Sequence, residues 1–513
     1  MLFLPPGTIY HLNGTQLLLT NVSVELRSCS AGAILDGEHR SRLIKLEGGS
    51  SLTLASVELR NGGGINYGGG LHLSGSSSVF LLDSSVVNCA ADGTDSTGGG
   101  ACYVCQKSSL SLLNSYVANC ATASEDGDVE GGAFCLIGSS SASLVNSSVV
   151  DCLATSMSRL VFGGVGSLFD ACSVSLINSF LTNCTATSSG GHPFGGAFAL
   201  YTKCTMSLVS SSVMNCTSTI SHLVNVASGG AFDLQDSSHI LLTGTSVVRC
   251  SAKNSVGEAG GAAFYLFDWS SASLITSSIV DCMTISSGSS SGSRATGGAF
   301  TLELASDVKL ASSSVINCRA SSSSGDAAGG AFFLSRSCTA SLATCSVVDC
   351  AAISLGTASS YGGALSGSEG SSISLSSCWL TSCAATSVGA AFGGAAHLDS
   401  SSATVINSSV TSCSVVSSRG MVLGGAFALL TTSSLSFIDS TVQGAVSTSI
   451  GDDASGGGIH AETNSRILLN ASSVSNCSSE GNGTARGGGV ALTRRSRATL
   501  IAAVIELCTT PQA

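Results

Sequence analysis

Charge is what this sequence lacks most. Only 10% of its 513 residues are Asp, Glu, Lys or Arg, against roughly 25% in ordinary soluble domains. That excludes a coiled coil and a charged linker. The 20 basic residues are outnumbered by 31 acidic ones, the net charge is -11, and no basic run occurs. Nothing here would neutralise nucleic-acid phosphates, so no nucleic-acid partner is expected. Proline occurs 4 times and tryptophan twice. No apolar run is long enough for a membrane-spanning helix. Ser, Gly and Ala are abundant, yet 43% of residues are apolar and the mean hydropathy is +0.42. A disordered chain has too little apolar surface for that.

What is present is a repeat. Fourteen Gly-Gly pairs recur with a period of about 32 residues, a solenoid spacing. The glycines that lead the copies are Gly68, Gly99, Gly131, Gly163, Gly195, Gly229, Gly261, Gly297, Gly329, Gly362, Gly393, Gly424, Gly456 and Gly487, each followed by a second glycine except Gly261, which is preceded by Gly260 and followed by Ala262. From Gly131 to Cys152 is 21 residues, and the same count separates Gly163 from Cys184 and Gly297 from Cys318. The stretch from the cysteine to the next pair varies, which marks a surface loop. Leu recurs at Leu112, Leu144, Leu176 and Leu208; Val recurs at Val117, Val149 and Val213. The apolar segments are short and alternate with period two, the strand signature. Each coil reads as three short strands: GAFxL, xSLxN and SVVxC. Stacked coils would align identical positions about 4.8 Å apart and satisfy the backbone sideways. The expected fold is all-β, a single parallel β-helix solenoid. Residues 1–67 would form its N-terminal coils, and residues 68–513 the fourteen Gly-Gly-to-Cys repeats.

Gly-Gly-Ala-Phe, as at Gly131–Phe134, followed by an aliphatic-x-x-Cys end, as at Val149–Cys152, resembles the repeats of chlamydial polymorphic outer-membrane proteins. More broadly, the chain is similar to the right-handed, pectin-lyase-like β-helix superfamily. The opening Leu4–Tyr10 and Ile34–Gly37 resemble first coils there. The pattern departs in having Cys where the bacterial repeat ends in Asn, and the C-terminal membrane barrel is missing. Right-handed winding follows from the resemblance and from the crossover rule.

Thirteen cysteines hold the coil-end position: Cys89, Cys120, Cys152, Cys184, Cys216, Cys250, Cys282, Cys318, Cys350, Cys383, Cys413, Cys477 and Cys508, with Ala445 in the remaining copy. Alanine as the substitute points to a small shielded site, so a ladder of free stacked thiols is favoured over bridges along it. Cys172 and Cys204 share another coil position, as do Cys345 and Cys378; these two pairs are the candidate disulfides. Cys102-x-x-Cys105 should place its thiols on opposite faces of a strand, not on one metal. Nine Asn-x-Ser/Thr sequons favour an extracellular or cell-surface setting. Those at Asn183, Asn215 and Asn476 abut the ladder, where burial is expected. Met1–Pro5 lacks the basic start of a signal peptide, and the chain is read as a fragment or truncated sequence. Asn114, Asn146 and Asn178, preceded by Asp83, should stack as a structural amide ladder.

Catalytic residues are not evident, and no metal or cofactor is expected. Asp452-Asp453 resembles a polygalacturonase acid pair without its companion motifs and reads as a solvated turn. Glu125–Asp128 with Glu130 forms the densest acidic loop, a weak calcium candidate beside the simpler reading of exposed turn. The eight histidines are scattered. The favoured function is a noncatalytic extracellular or cell-surface adhesin or rigid spacer. It would bind a polysaccharide or cell-surface protein along the variable loops, Thr217–Ser228 and Met283–Thr296 first. The alternative is a polysaccharide lyase or glycoside hydrolase, which needs convergent acid, base or calcium-binding groups. A hydroxyl array for ice or a crystalline polymer is a third, weaker option.

Overall fold

The computed structural model describes every residue except 30–31, 223–224, 290–291 and 512–513. Among the described residues there is no helix, and so none long and apolar enough to cross a membrane. The chain divides into two compact units, Met1–Ala252 and Lys253–Ala513. Each is a right-handed parallel β-helix of stacked coils.

One coil of the first unit shows the plan. Phe134–Ile137, Ser141–Val145 and Ser148–Val150 are the three expected strands. Two more follow: Leu153–Ser156 and the two-residue Val161–Phe162. Ser141–Val145 pairs in parallel with Ser109–Leu113 on one side and Ser173–Ile177 on the other, residue for residue. In the second unit Thr339–Ala343 lies in the same way between Asp307–Ala311 and Ser372–Ser376. Inward positions carry the periodic aliphatics. Leu112, Leu144, Leu176 and Leu208 are buried in one column, and Val117, Val149, Leu181 and Val213 in another. In the second unit Phe264, Phe300 and Phe332 stack with centroids 4.9 and 4.7 Å apart.

The bends explain the polar half of the repeat. Between the second and third strands one residue takes the left-handed conformation: Asn114 (φ 51°), Asn146 (φ 48°) or Asn178 (φ 50°). Another sits just before the ladder cysteine: Asn119, Asp151 or Asn183. Asn and Asp tolerate this region better than other non-glycine residues. After each left-handed residue comes a small buried side chain. Ser147 Oγ accepts the backbone N–H of Ser115 in the coil before it, at 3.2 Å, and Ser179 does the same for Ser147. The Asn-Ser and Asn-Cys pairs of the sequence are therefore bend signals. Before the first strand the Gly-Gly pair turns a corner in which neighbouring coils nearly touch backbone to backbone.

Candidate functional site

Cysteine turns out to share the role of serine at two bends. The Cys172 thiol accepts the N–H of Ser140 at 3.2 Å, and the Cys204 thiol accepts the N–H of Cys172 at 3.3 Å. At that same bend Ser108 serves Ser77. Cys345 and Cys378 occupy the bend that Ser115 and Ser147 occupy elsewhere, and the Cys378 N–H donates to Ser408 Oγ at 2.9 Å. Both pairs stand at matched positions of adjacent coils and carry free thiols here. The ladder cysteines are buried except Cys508, which is half-buried. Burial is the main reason that the Cys120, Cys318 and Cys350 thiols are held well above the usual thiol range. A neutral thiol there donates to its own strand, as Cys120 Sγ does to Ala118 O at 3.4 Å. Cys102 points inward and Cys105 outward, on opposite faces of Cys102–Cys105.

The acidic candidates do not converge. Asp128 accepts the N–H of Leu160 at 3.2 Å, while Glu125 and Asp126 are exposed. Asp453 accepts the N–H of Thr484 at 2.6 Å in an exposed turn, with Asp452 accepting that of Asp453. No three His, Cys, Asp or Glu side chains are grouped as metal ligands among the described residues. The amide ladder forms, with Asn146 Nδ2 donating to Asn114 Oδ1 at 3.3 Å and Asn178 to Asn146 at 3.4 Å. The sequons at Asn183, Asn215 and Asn476, expected to be buried, are exposed, because each is the left-handed bend residue whose side chain points away from the core. Within each unit the variable loops all lie between the fourth and fifth strands of a coil. Of the two named loops, Thr217–Ile220, Ala227–Ser228, Met283–Ser286 and Ala295–Thr296 are strand, and 223–224 and 290–291 lie outside the described residues.

The chemistry concentrates instead at the corner before the first strand, which the repeat pattern does not announce. Each Gly-Gly corner turns the residue just before it towards the second residue of the next strand, outside the core. The two bond across the corner. In the first unit Cys135 Sγ donates to Glu130 Oε2 at 3.3 Å, and Ser228 Oγ donates to Asp233 Oδ2 at 2.5 Å. Gln235 Nε2 donates to the other Asp233 oxygen at 3.0 Å. In the second unit His460 Nδ1 and Ser455 Oγ share a hydrogen bond of 2.9 Å, and the Glu462 carboxylate is 3.6 Å from Nε2. Thr301 Oγ1 donates to Thr296 O at 3.0 Å. Elsewhere rings fill the corner: Phe162, Phe169, Phe194 and Tyr201 in the first unit, Tyr361, Phe392 and His397 in the second.

Burial perturbs the groups at these corners. Asp233 is fully buried, which pushes its carboxyl up to about 7 against the two donated hydrogen bonds. His397 is held down to about 4 by the same cause. His460 is lowered by burial, with Glu462 opposing. Asp233 makes a pH prediction. Its folded value lies above its unfolded one, so its contribution is fully present below about pH 4 and is lost as pH rises through about 7. The melting temperature should therefore fall between about pH 4 and pH 7, and Asp233→Asn should flatten that slope. A D233N protein with the wild-type slope would show that other groups set it.

The fold can now be compared with known proteins. No family model matches the chain, and no curated protein does. Among solved structures, Vag8 from its complex with C1 inhibitor aligns over 98% of this chain and 99% of its own, at 13% identity and a TM-score of 0.38. The PL6 family alginate lyase AlyGC aligns over 98% and 97%, at 8% identity and a TM-score of 0.20. At these values the parallel β-helix assignment rests on the strands themselves.

Proposed function

We propose that this chain is a noncatalytic extracellular or cell-surface β-helix, an adhesin or rigid spacer that takes its partner along the edge of the variable loops. The partner is a polysaccharide or a cell-surface protein. One observation carries the noncatalytic part. The polar residues that look most like chemistry are corner fasteners, and other coils build the same fastener from different groups: Glu with Cys, Ser with Asp, Thr with Thr, Ser with His. A nucleophile and base selected for a reaction could not be exchanged in this way. The exposed sequons support the extracellular part.

The test is incubation of the purified chain with a panel of insoluble polysaccharides, with calcium and with chelator, reading both retention and newly formed reducing or unsaturated ends. Retention without new ends is expected. New ends from any polymer would overturn the noncatalytic reading in favour of a lyase or hydrolase.

A further inference from the structure

In the first unit the third strands of three successive coils leave a notch on the outer face. Val57–Arg60, Ser85–Val87 and Tyr116–Ala118 pair in parallel, with Glu58, Ser85 and Tyr116 in register. All three point away from the core. A small side chain therefore stands between a carboxylate and an aromatic ring, whose residues are two coil steps or roughly 10 Å apart. Asp83, the left-handed residue (φ 49°) of the bend that precedes Ser85, borders the gap. These four residues line an open cavity of about 650 Å³, together with Val57 and Asn114 among others.

The groups around this cavity have bonding capacity to spare. Ser85 is 5% exposed, and among the described residues its hydroxyl has no hydrogen-bond partner. The strand alternation turns that hydroxyl into the notch, since Val86 is the residue buried in the core. Buried polar groups are normally satisfied. Asp83 Oδ1 accepts from Asn114 Nδ2 at 3.2 Å, which leaves Oδ2 open. Glu58 makes one loose ion pair among the described residues, 3.8 Å to Arg60. Arg60 is itself held by Asp36 at 2.8 Å, so its charge is already matched. Tyr116 is 45% exposed, and among the described residues no other ring lies against it.

We infer that this notch takes the guanidinium group of an arginine on the surface of a protein partner. The four groups specify that cation. A guanidinium is planar, stacks on a tyrosine face and donates through five N–H groups in a fixed fork. Asp83 and Glu58 are its charged acceptors, and Ser85 Oγ accepts a further N–H at the floor. A lysine ammonium is a compact point charge and does not span ring, floor and both carboxylates at once. A quaternary ammonium has no N–H to donate to them. The surroundings are those of a protein contact. Phe180 is 51% exposed and lies two coils beyond Tyr116 in the same register, with Ile177, 38% exposed, across the bend. Exposed aromatic residues beside an arginine site match the core of a protein interface. This face belongs to the third strands, whereas the variable loops follow the fourth. The inference therefore goes beyond the loop-edge reading and does not depend on it.

Saturation-transfer NMR on the full chain tests this, because it reads weak ligands directly. The probes are the end-blocked peptide Gly-Ser-Arg-Ser-Gly and its lysine and citrulline counterparts. Saturable transfer to the arginine peptide is expected, with the lysine peptide several-fold weaker and the neutral citrulline peptide silent. Tyr116→Leu, Glu58→Gln and Asp83→Asn should each weaken binding about tenfold. Melting should not change, since all three side chains lie outside the core and Asn suits the left-handed bend. Glu125→Gln removes the same charge from an exposed loop elsewhere and should leave binding as it was. Free arginine, whose own carboxylate meets Glu58 and Asp83, should bind less well than the peptide. The inference is overturned if the arginine peptide does not bind, or if the lysine or citrulline peptide binds as well. It is equally overturned if E125Q weakens binding as much as E58Q, which would mean diffuse charge attraction. Free arginine binding best would make the notch a small-molecule site and remove the protein partner. Polymer retention tests the loop-edge reading separately, so either can fail without the other.

Discussion

Replacing Gly329 by alanine should cost about 3 kcal/mol or more and lower the melting temperature by many degrees. Gly329 is the first member of its pair. It has φ +63°, a conformation that a side chain strains, and a Cβ there would lie 2.1 Å from Phe332 O and 2.5 Å from Phe332 C. Both obstacles are main chain held in the stack, so no side-chain rotation can relieve the contact. Its neighbour Gly330 is less strict, because the equivalent position two coils earlier holds Ala262, fully buried. Gly292→Ala is the control, since a Cβ there meets nothing within 4 Å. In a solenoid, stability is close to a sum of coil and neighbour terms. The damage should therefore be local, and limited proteolysis of G329A should cut first within the coils around residues 329–363. Melting of G329A within a degree or two of wild type would mean that the corner opens more easily than its packing implies.

The corner also shows where the sequence was legible and where it was not. The inward columns could be read because they repeat: Leu112 to Leu208 are all leucine, and Val117 to Val213 all valine or leucine, at the same step. The first glycine of each pair could be read because its left-handed backbone and its contact with the next strand's main chain exclude a side chain; the second is less strict, since Ala262 fills it in one coil. Strands such as Leu153–Ser156 and Thr185–Ser188 were invisible, because their short Ala, Ser and Thr stretches show no aliphatic alternation and are held straight by their copies above and below. The cysteine pairs were legible as equivalent positions. Their equivalence to serine was not, because it depends on which backbone N–H the bend leaves facing the side chain. The make-up of the corner was the least legible feature. Its residues are defined by a corner that folds two outward positions together, and outward residues change from coil to coil. Periodicity cannot flag what does not repeat. A signal was nonetheless present, since the residue before the Gly pair is Tyr67, Phe162, Phe194, Tyr361 or Phe392 in five coils where a solvent-facing position would usually be polar.

Phe300→Ala should destabilise the second unit by about 3 kcal/mol, the lower part of the range for burying and then deleting a phenyl ring. Phe300 is fully buried between Phe264 and Phe332, nearly parallel to both, with interplanar angles of 8° and 5°. Its removal would leave a gap one ring thick, lined by two ring faces. The first unit shows how such a gap is handled naturally. Gly166 stands in register between Phe134 and Phe198. A Cβ on Gly166 would meet Phe198 Cε1 at 2.5 Å, so the neighbouring ring has moved into the vacant space. Phe264 or Phe332 can lean in the same way in F300A, which is why the cost should not reach the full 5 kcal/mol of an unrelaxed cavity. Phe300→Leu should recover most of the loss, because the same column carries Leu365 two coils on. Denaturant melts of the three proteins decide the matter. A loss below about 1 kcal/mol in F300A would mean that the backbone ladders, and not the stacked rings, hold these coils together.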